Sequence, residues 1–371
     1  MPKTAVILFN LGGPDRKESI YPFLINFFMD KNIIRAPWPV RYLVSRLIAR
    51  RRTKVEAGNA YGRLGGKSPL LENTTAQANA LESVLNSTDE TQTFKVFTCM
   101  RYWHPMAPQV VSEVADFAPD RVILLPLYPQ YSTTTTRSSL QAWTQACSDA
   151  GVKFPTRMVC CYPFEDGFIG ASAALIRQKY DDMTRELGRA PRVLFSAHGL
   201  PEIIIKQGDP YQWQCEETAK KIVAALGISD LDWMVCYQSR VGRLTWIGPS
   251  TDEAIQKAAL DQVPILIYPH AFVSEHVETL VEIEEEYRHL AHSIGVPDFE
   301  RVPTVGTHPE FINGLKELAL ETLNGDIERD REGAVKRVAE LTSAPPSLII
   351  SNPPVCPCAH KDCCQRQFGN N

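Results

Sequence analysis

A chain of 371 residues is longer than one compact domain usually runs, and 44% hydrophobic with 22% charged residues excludes a disordered or fibrous protein. A net charge of −4 excludes the strongly basic surface that nucleic-acid binding calls for. No apolar run has the length of a membrane span, and no secretory signal precedes "KTAVILFN", so the expected location is the cytoplasm.

In chain order, strands are expected at 5–9, 94–99, 121–127 and 156–161, and a second series at 192–198, 232–238 and 263–269. Helical stretches such as 72–86, 137–150, 215–226 and 252–260 separate them. Continuous aliphatic runs of this kind suit parallel strands covered on both faces. Two such series predict an α/β protein of two doubly wound lobes with parallel sheets and a cleft where the strand ends converge. The expected division is 1–163 and 164–307 for the lobes, 308–342 for helices packing back on them, and 343–371 for a proline-rich linker and a cysteine tail.

Residues 20–52 stand outside the alternation. They mix Phe, Trp, Leu and Ile with Arg41, Arg46, Arg50, Arg51 and Arg52, a composition that suits either a lid on its own protein or a peripheral contact with the inner face of a membrane. Two glycine motifs tempt a nucleotide reading and fail it. "YGRLGGKSP" (61–69) has Tyr61 where a phosphate loop needs glycine, and "NLGGPD" lacks the dinucleotide spacing, so no nucleotide is expected.

Chemistry is expected at the carboxyl ends of the second series. His198 closes the run "LFSAHGLP", where ligands of doubly wound folds bind. After 263–269 comes "HAFVSEHVETLVEIEEEYRHLA" (270–291), read as a helix with Phe272, Val273, Leu280, Ile283, Tyr287 and Leu290 on one side and Glu278, Glu282 and Glu286 on the other. A carboxylate row is by default a solvated face. One whose first turn shares a cleft with an imidazole can hold a divalent cation or exchange protons. Arg101, Tyr102, Tyr128, Tyr131, Trp246 and the hydroxyls of "YSTTTTRSS" supply flat faces with polar edges, and Arg63, Arg101 or Arg137 could meet the carboxylates of a large planar ligand.

From residue 4 to about 325 these motifs together ("NLGGP", "YGRLGGKSPL", "MRYWHP", "YPQYS", "SAHGLP", "GDPYQWQC", "YQSRVG", "WIGP" and "SEHVETLVEIEEEY") resemble the ferrochelatase family. The resemblance implies two Rossmann-like, chelatase-like lobes and a lyase that inserts substrate Fe²⁺ into protoporphyrin IX. It implies His198 as metal ligand or acceptor of a pyrrole proton, and Glu278 as its partner. Glu282 and Glu286 continue the carboxylate line, and Arg101, Tyr102 and Trp246 stand around the macrocycle. Leu11 in "NLGGP" matches the aliphatic residue of the members that use protoporphyrin rather than coproporphyrin, and 20–52 matches the family's hydrophobic lip. A coproporphyrin ferrochelatase, a related cobalt chelatase and a non-catalytic haem- or iron-binding protein are the rival readings.

The tail, "CPCAHKDCC", places Cys356, Cys358, Cys363 and Cys364 within the last sixteen residues. Four thiols suit a [2Fe–2S] cluster or zinc equally. The resemblance favours the cluster, although the animal pattern has one ligand at the position of Thr133 here, and Cys160, Cys161 or Cys215 could replace one of the adjacent tail thiols.

Overall fold

The structure is a computed structural model that describes residues 1–56, 60–239 and 244–323, short strands at 327–329, 335–337 and 349–350, and residue 362. The first sheet is built from β1 (Lys3–Asn10), β2 (Thr93–Met100), β3 (Arg121–Pro126) and β4 (Thr156–Met158), all parallel. The second is built from β5 (Arg192–His198), β6 (Trp233–Gln238), β7 (Ile265–Tyr268) and β8 (Phe299–Arg301), in the order β6-β5-β7-β8 and again parallel. The predicted α/β class with two parallel sheets is what the chain adopts.

Central strands such as β1 and β5 are buried along almost their whole length, which is why they read as unbroken apolar runs. β8 escaped the reading because "FER" is three residues long and two of them are charged. Ile349–Ile350, placed by sequence in a proline-rich linker, instead pairs in parallel with Arg157 and Met158 and adds a fifth strand beside β4. The segment 308–342, expected as helices, opens with the helix Pro309–Leu323 and continues into an antiparallel pair, 327–329 with 335–337.

One hydrophobic core joins the lobes. Val6, Leu8 and Phe94 of the first sheet and Val193, Phe195 and Leu266 of the second share it with Phe168, Ile176, Phe311 and Leu315 of the helices Asp166–Leu187 and Pro309–Leu323. At the rim the two glycine motifs meet. Ser68 N donates to Pro14 O at 2.8 Å, and a Cβ on Gly13 would stand 2.6 Å from Ser68 Cβ, so only glycine permits this approach.

His270 follows β7 and is fully enclosed, its ring edge-on to Phe195 at 5.7 Å. Burial pushes its imidazole down to about 4. The unfolded chain therefore takes up a proton below about pH 6.5 that the folded chain refuses, so stability is undiminished above that pH and falls as the pH drops toward 4. Wild type is expected to lose about 2 kcal/mol more than His270→Phe between pH 7 and pH 5. Urea unfolding at the two pH values measures it, and identical losses would refute the assignment.

Candidate active site

His198 is the last residue of β5, so the register of the strand presents its ring at the carboxyl edge of the sheet. Its Nδ1 lies 2.7 Å from Gly199 O. A carbonyl only accepts, so Nδ1 carries the proton and Nε2 is left with a free lone pair. That Nε2 stands 3.9 Å from Glu278 Oε1, and both side chains keep about a third of their surface exposed.

Glu278 opens a π-helix, Glu278–Tyr287, that continues as the α-helix Arg288–Ser293. The expected helix over 270–291 is thus shorter: Phe272 and Val273 lie in the turns before it. Wider π turns are a recurrent feature of functional sites, and an α-type period does not show them. The three acidic residues run from interior to surface. Glu282 accepts from Ser239 N at 3.0 Å, Ser239 Oγ at 2.7 Å and Tyr287 OH at 3.1 Å, and Ser239 itself holds a left-handed φ of 61°. Glu286 is exposed.

Their electrostatics diverge. Burial pushes the Glu278 carboxyl up, but His198 and His276, with Arg52 behind them, outweigh it and hold the group below the ordinary range. Burial and then the charge of Glu278 push Glu282 up. Neighbouring carboxyls driven apart in this way are the mark of an acid–base pair. His276, which the sequence reading passed over, is buried with its Nε2 3.7 Å from Glu278 Oε2 and its ring 4.5 Å from that of Phe272. Its position two residues before Glu278 was the available signal.

The facing wall belongs to the first lobe. Val277 packs against a cluster of Ile20, Phe23, Leu24, Phe28 and Tyr102, with Leu11 and Trp103 at its edge, which brings the start of the π-helix against the lip. Arg101 donates to Ser138 Oγ at 2.6 Å and to Asp30 Oδ2 at 2.9 Å, and lies over the Tyr102 ring at 4.7 Å. Tyr102 is fully enclosed and donates to Asp30 at 2.8 Å, so it braces the wall from behind instead of facing a ligand. Asp30, also missed in the sequence, gathers Arg101, Tyr102, Ser138 and Asn32. Burial pushes its carboxyl up, and Arg101 with these hydrogen bonds brings it below the ordinary value.

The other named residues scatter more. Tyr128 is half-buried with its hydroxyl 3.4 Å from Ser139 Oγ, and Tyr131 is enclosed. Trp246 bridges to Pro201, three residues beyond His198. Arg63 pairs with Glu285 of the π-helix at 2.6 Å, with both ends exposed, and Arg137 lies 3.6 Å from Asp362. Cys356, Cys358, Cys363 and Cys364 fall outside the described residues. Among the described ones no group of three or more His, Cys, Asp or Glu is arranged to hold a metal, Cys160 is in a disulfide, and Cys161 and Cys215 are buried.

An imidazole with a free Nε2 lone pair, 3.9 Å from a carboxylate at the carboxyl edge of the second sheet, is a pair chemically able to exchange protons or to hold a divalent cation loosely, as a metal-inserting enzyme requires. A model of the family Ferrochelatase matches residues 3–323. A ferrochelatase from Caulobacter vibrioides is 50% identical over 313 residues, 84% of this chain and 88% of its own. One from Phenylobacterium zucineum is 45% identical over 367 residues, 99% of each chain. Among solved structures the chain is similar to the sirohydrochlorin chelatase SirB from Bacillus subtilis subspecies spizizenii in complex with cobalt, at 11% identity and a TM-score of 0.48 over 88% of this chain and 97% of that one. That likeness is too distant to carry an argument. The chain belongs to the ferrochelatase family, lyases that insert ferrous iron into protoporphyrin to make haem.

Proposed function

We propose that this chain inserts Fe²⁺ into protoporphyrin IX to give protohaem, with His198 and Glu278 assisting the removal of the two inner N–H protons. A free-base porphyrin is flat, and a metal enters only once the ring is bent and deprotonated. Binding energy from the ring's edges, held by the Arg101 wall and the lip, drives that bending. The observation that carries the reading is the commitment of His198 Nδ1 to Gly199 O, which leaves Nε2 as a base and metal ligand 3.9 Å from Glu278. One imidazole and one carboxylate hold Fe²⁺ loosely enough to release it, as a closed thiolate cage would not. Protons pass from this pair to Glu282, the more readily protonated neighbour, and out toward exposed Glu286.

Leu11, within the apolar lip cluster, supports protoporphyrin over coproporphyrin, because two extra propionates would be desolvated against such a surface. Trp246, Tyr128 and Arg63 take places around the macrocycle, Arg63 by exchanging Glu285 for a propionate. Haem formation in weakly buffered anaerobic solution should release two protons per haem. Bound porphyrin with neither haem nor acidification would contradict the reading.

The helix Trp38–Glu56 turns Val40, Leu43 and Leu47 to solvent, Leu43 and Leu47 at 68% and 71% exposure, with Arg46 and Arg50 on the same helix. This supports a peripheral, cytoplasmic-side membrane contact through 20–52. No helix among the described residues is long and apolar enough to cross a membrane. In the reduced protein the tail thiols Cys356, Cys358, Cys363 and Cys364 are assigned to a [2Fe–2S] cluster. Asp362, next to Cys363, donates its N–H to Gly208 O at 3.1 Å and lies 3.6 Å from Arg137. Iron and labile sulfide in anaerobically purified protein test this, and zinc in their place would contradict it.

A further inference from the structure

The residues just before the π-helix are held from the opposite lobe. Asn73 and Gln77, one turn apart on the helix Leu70–Thr88 of the first lobe, point their carboxamides the same way. Gln77 is fully buried, and its Nε2 donates to Val273 O at 2.8 Å and to Gly306 O at 2.9 Å, while its Oε1 accepts from Ser274 Oγ at 2.7 Å. Asn73 Nδ2 donates to Glu275 O at 2.9 Å. Three consecutive residues, 273 to 275, are thereby tied to the first lobe immediately before His276 and Glu278.

Their own lobe holds the same segment by other means. Arg301 pairs with Glu275 at 2.9 Å and with Glu284 at 2.8 Å, Thr304 N donates to Glu275 Oε1 at 2.9 Å, and Gly306 N donates to Val273 O at 3.0 Å. These contacts fold the turn and brace the π-helix, and all of them come from the second lobe. The carboxamides come from the first lobe and end on the loop carbonyls of Val273, Glu275 and Gly306.

We propose that Asn73 and Gln77 are positioning residues for metal insertion, fixing the distance of His276 and Glu278 from the Leu11 and Arg101 wall. The inference rests on the reading of the site as a porphyrin metallation centre. Its physical basis is that a reacting group displaced by about 1 Å costs on the order of a hundredfold in rate, far more than it costs in ligand affinity.

The test is anaerobic Fe²⁺ insertion by the full chain carrying Asn73→Ala or Gln77→Ala, with protoporphyrin sites counted by fluorescence titration. The expected result is a kcat per porphyrin-binding site lower by about 10- to 100-fold, with the porphyrin KM within about twofold of wild type. A purely structural role would reduce the number of sites and the melting temperature but leave kcat per site unchanged. Asn73, half-buried and making a single bond, decides the matter if Gln77→Ala fails to fold. Values of kcat per site within twofold of wild type would overturn the proposal while leaving the function standing. Absence of haem formation by wild type would overturn the reading of the site itself.

Discussion

His198→Ala is expected to lower kcat for Fe²⁺ insertion by about 10³-fold, within the range that removal of a positioned general base costs, while protoporphyrin binding stays within a few-fold. Among the described residues the ring hydrogen-bonds only to its neighbour's carbonyl, meets Glu278 at 3.9 Å and is a third exposed, so its loss leaves β5 and the core beneath it intact. What disappears is the Nε2 lone pair and with it both the proton acceptor and one of the two groups that can greet the metal. Alanine offers neither, and a water in its place is a far weaker base at neutral pH. Single-turnover haem absorbance gives the rate and porphyrin fluorescence the affinity. A variant as fast as wild type would remove His198 from the mechanism.

Glu278→Gln is expected to cost about 10²-fold or more in kcat. The substitution keeps size and hydrogen-bonding capacity but deletes the charge that faces His198 at 3.9 Å and His276 at 3.7 Å. Because those imidazoles hold the Glu278 carboxyl below its ordinary range against the effect of burial, the group is ionised at both pH 6 and pH 8. The stability its ionisation contributes is present above the ordinary carboxylate value and is lost only as the pH falls through the lowered one. The loss of rate in the variant should therefore be the same at pH 6 and pH 8. A defect that vanished at either pH would mean that a neutral carboxyl serves equally well, and would contradict the assignment.

How far these features could be seen in advance depends on how local their causes are. β5 was legible to the residue, because six of its seven positions are buried around the apolar stretch "VLF" and half-buried His198 marks where it stops. Glu278 was legible as the start of an acidic row, yet the π-helix was not, since acidic residues four apart look alike on an α-type or a π-type turn. Asp30 sits in the unremarkable stretch "MDKN", and its meaning comes from Arg101, 71 residues further on. Arg63, expected to meet a ligand carboxylate, pairs with Glu285, a partner that only the approach of two lobes supplies. Tyr102 was placed in the right neighbourhood but on the wrong side of the wall, because composition does not say which face of a residue is covered.

The most direct test of the account is anaerobic insertion of Fe²⁺ by wild-type protein with protoporphyrin IX and coproporphyrin III supplied in parallel, followed by haem absorbance. The account predicts faster turnover of protoporphyrin IX, consistent with an aliphatic Leu11 beside the lip cluster. Preference for coproporphyrin III would contradict the substrate assignment, and binding of both porphyrins without turnover of either would contradict the enzymatic function.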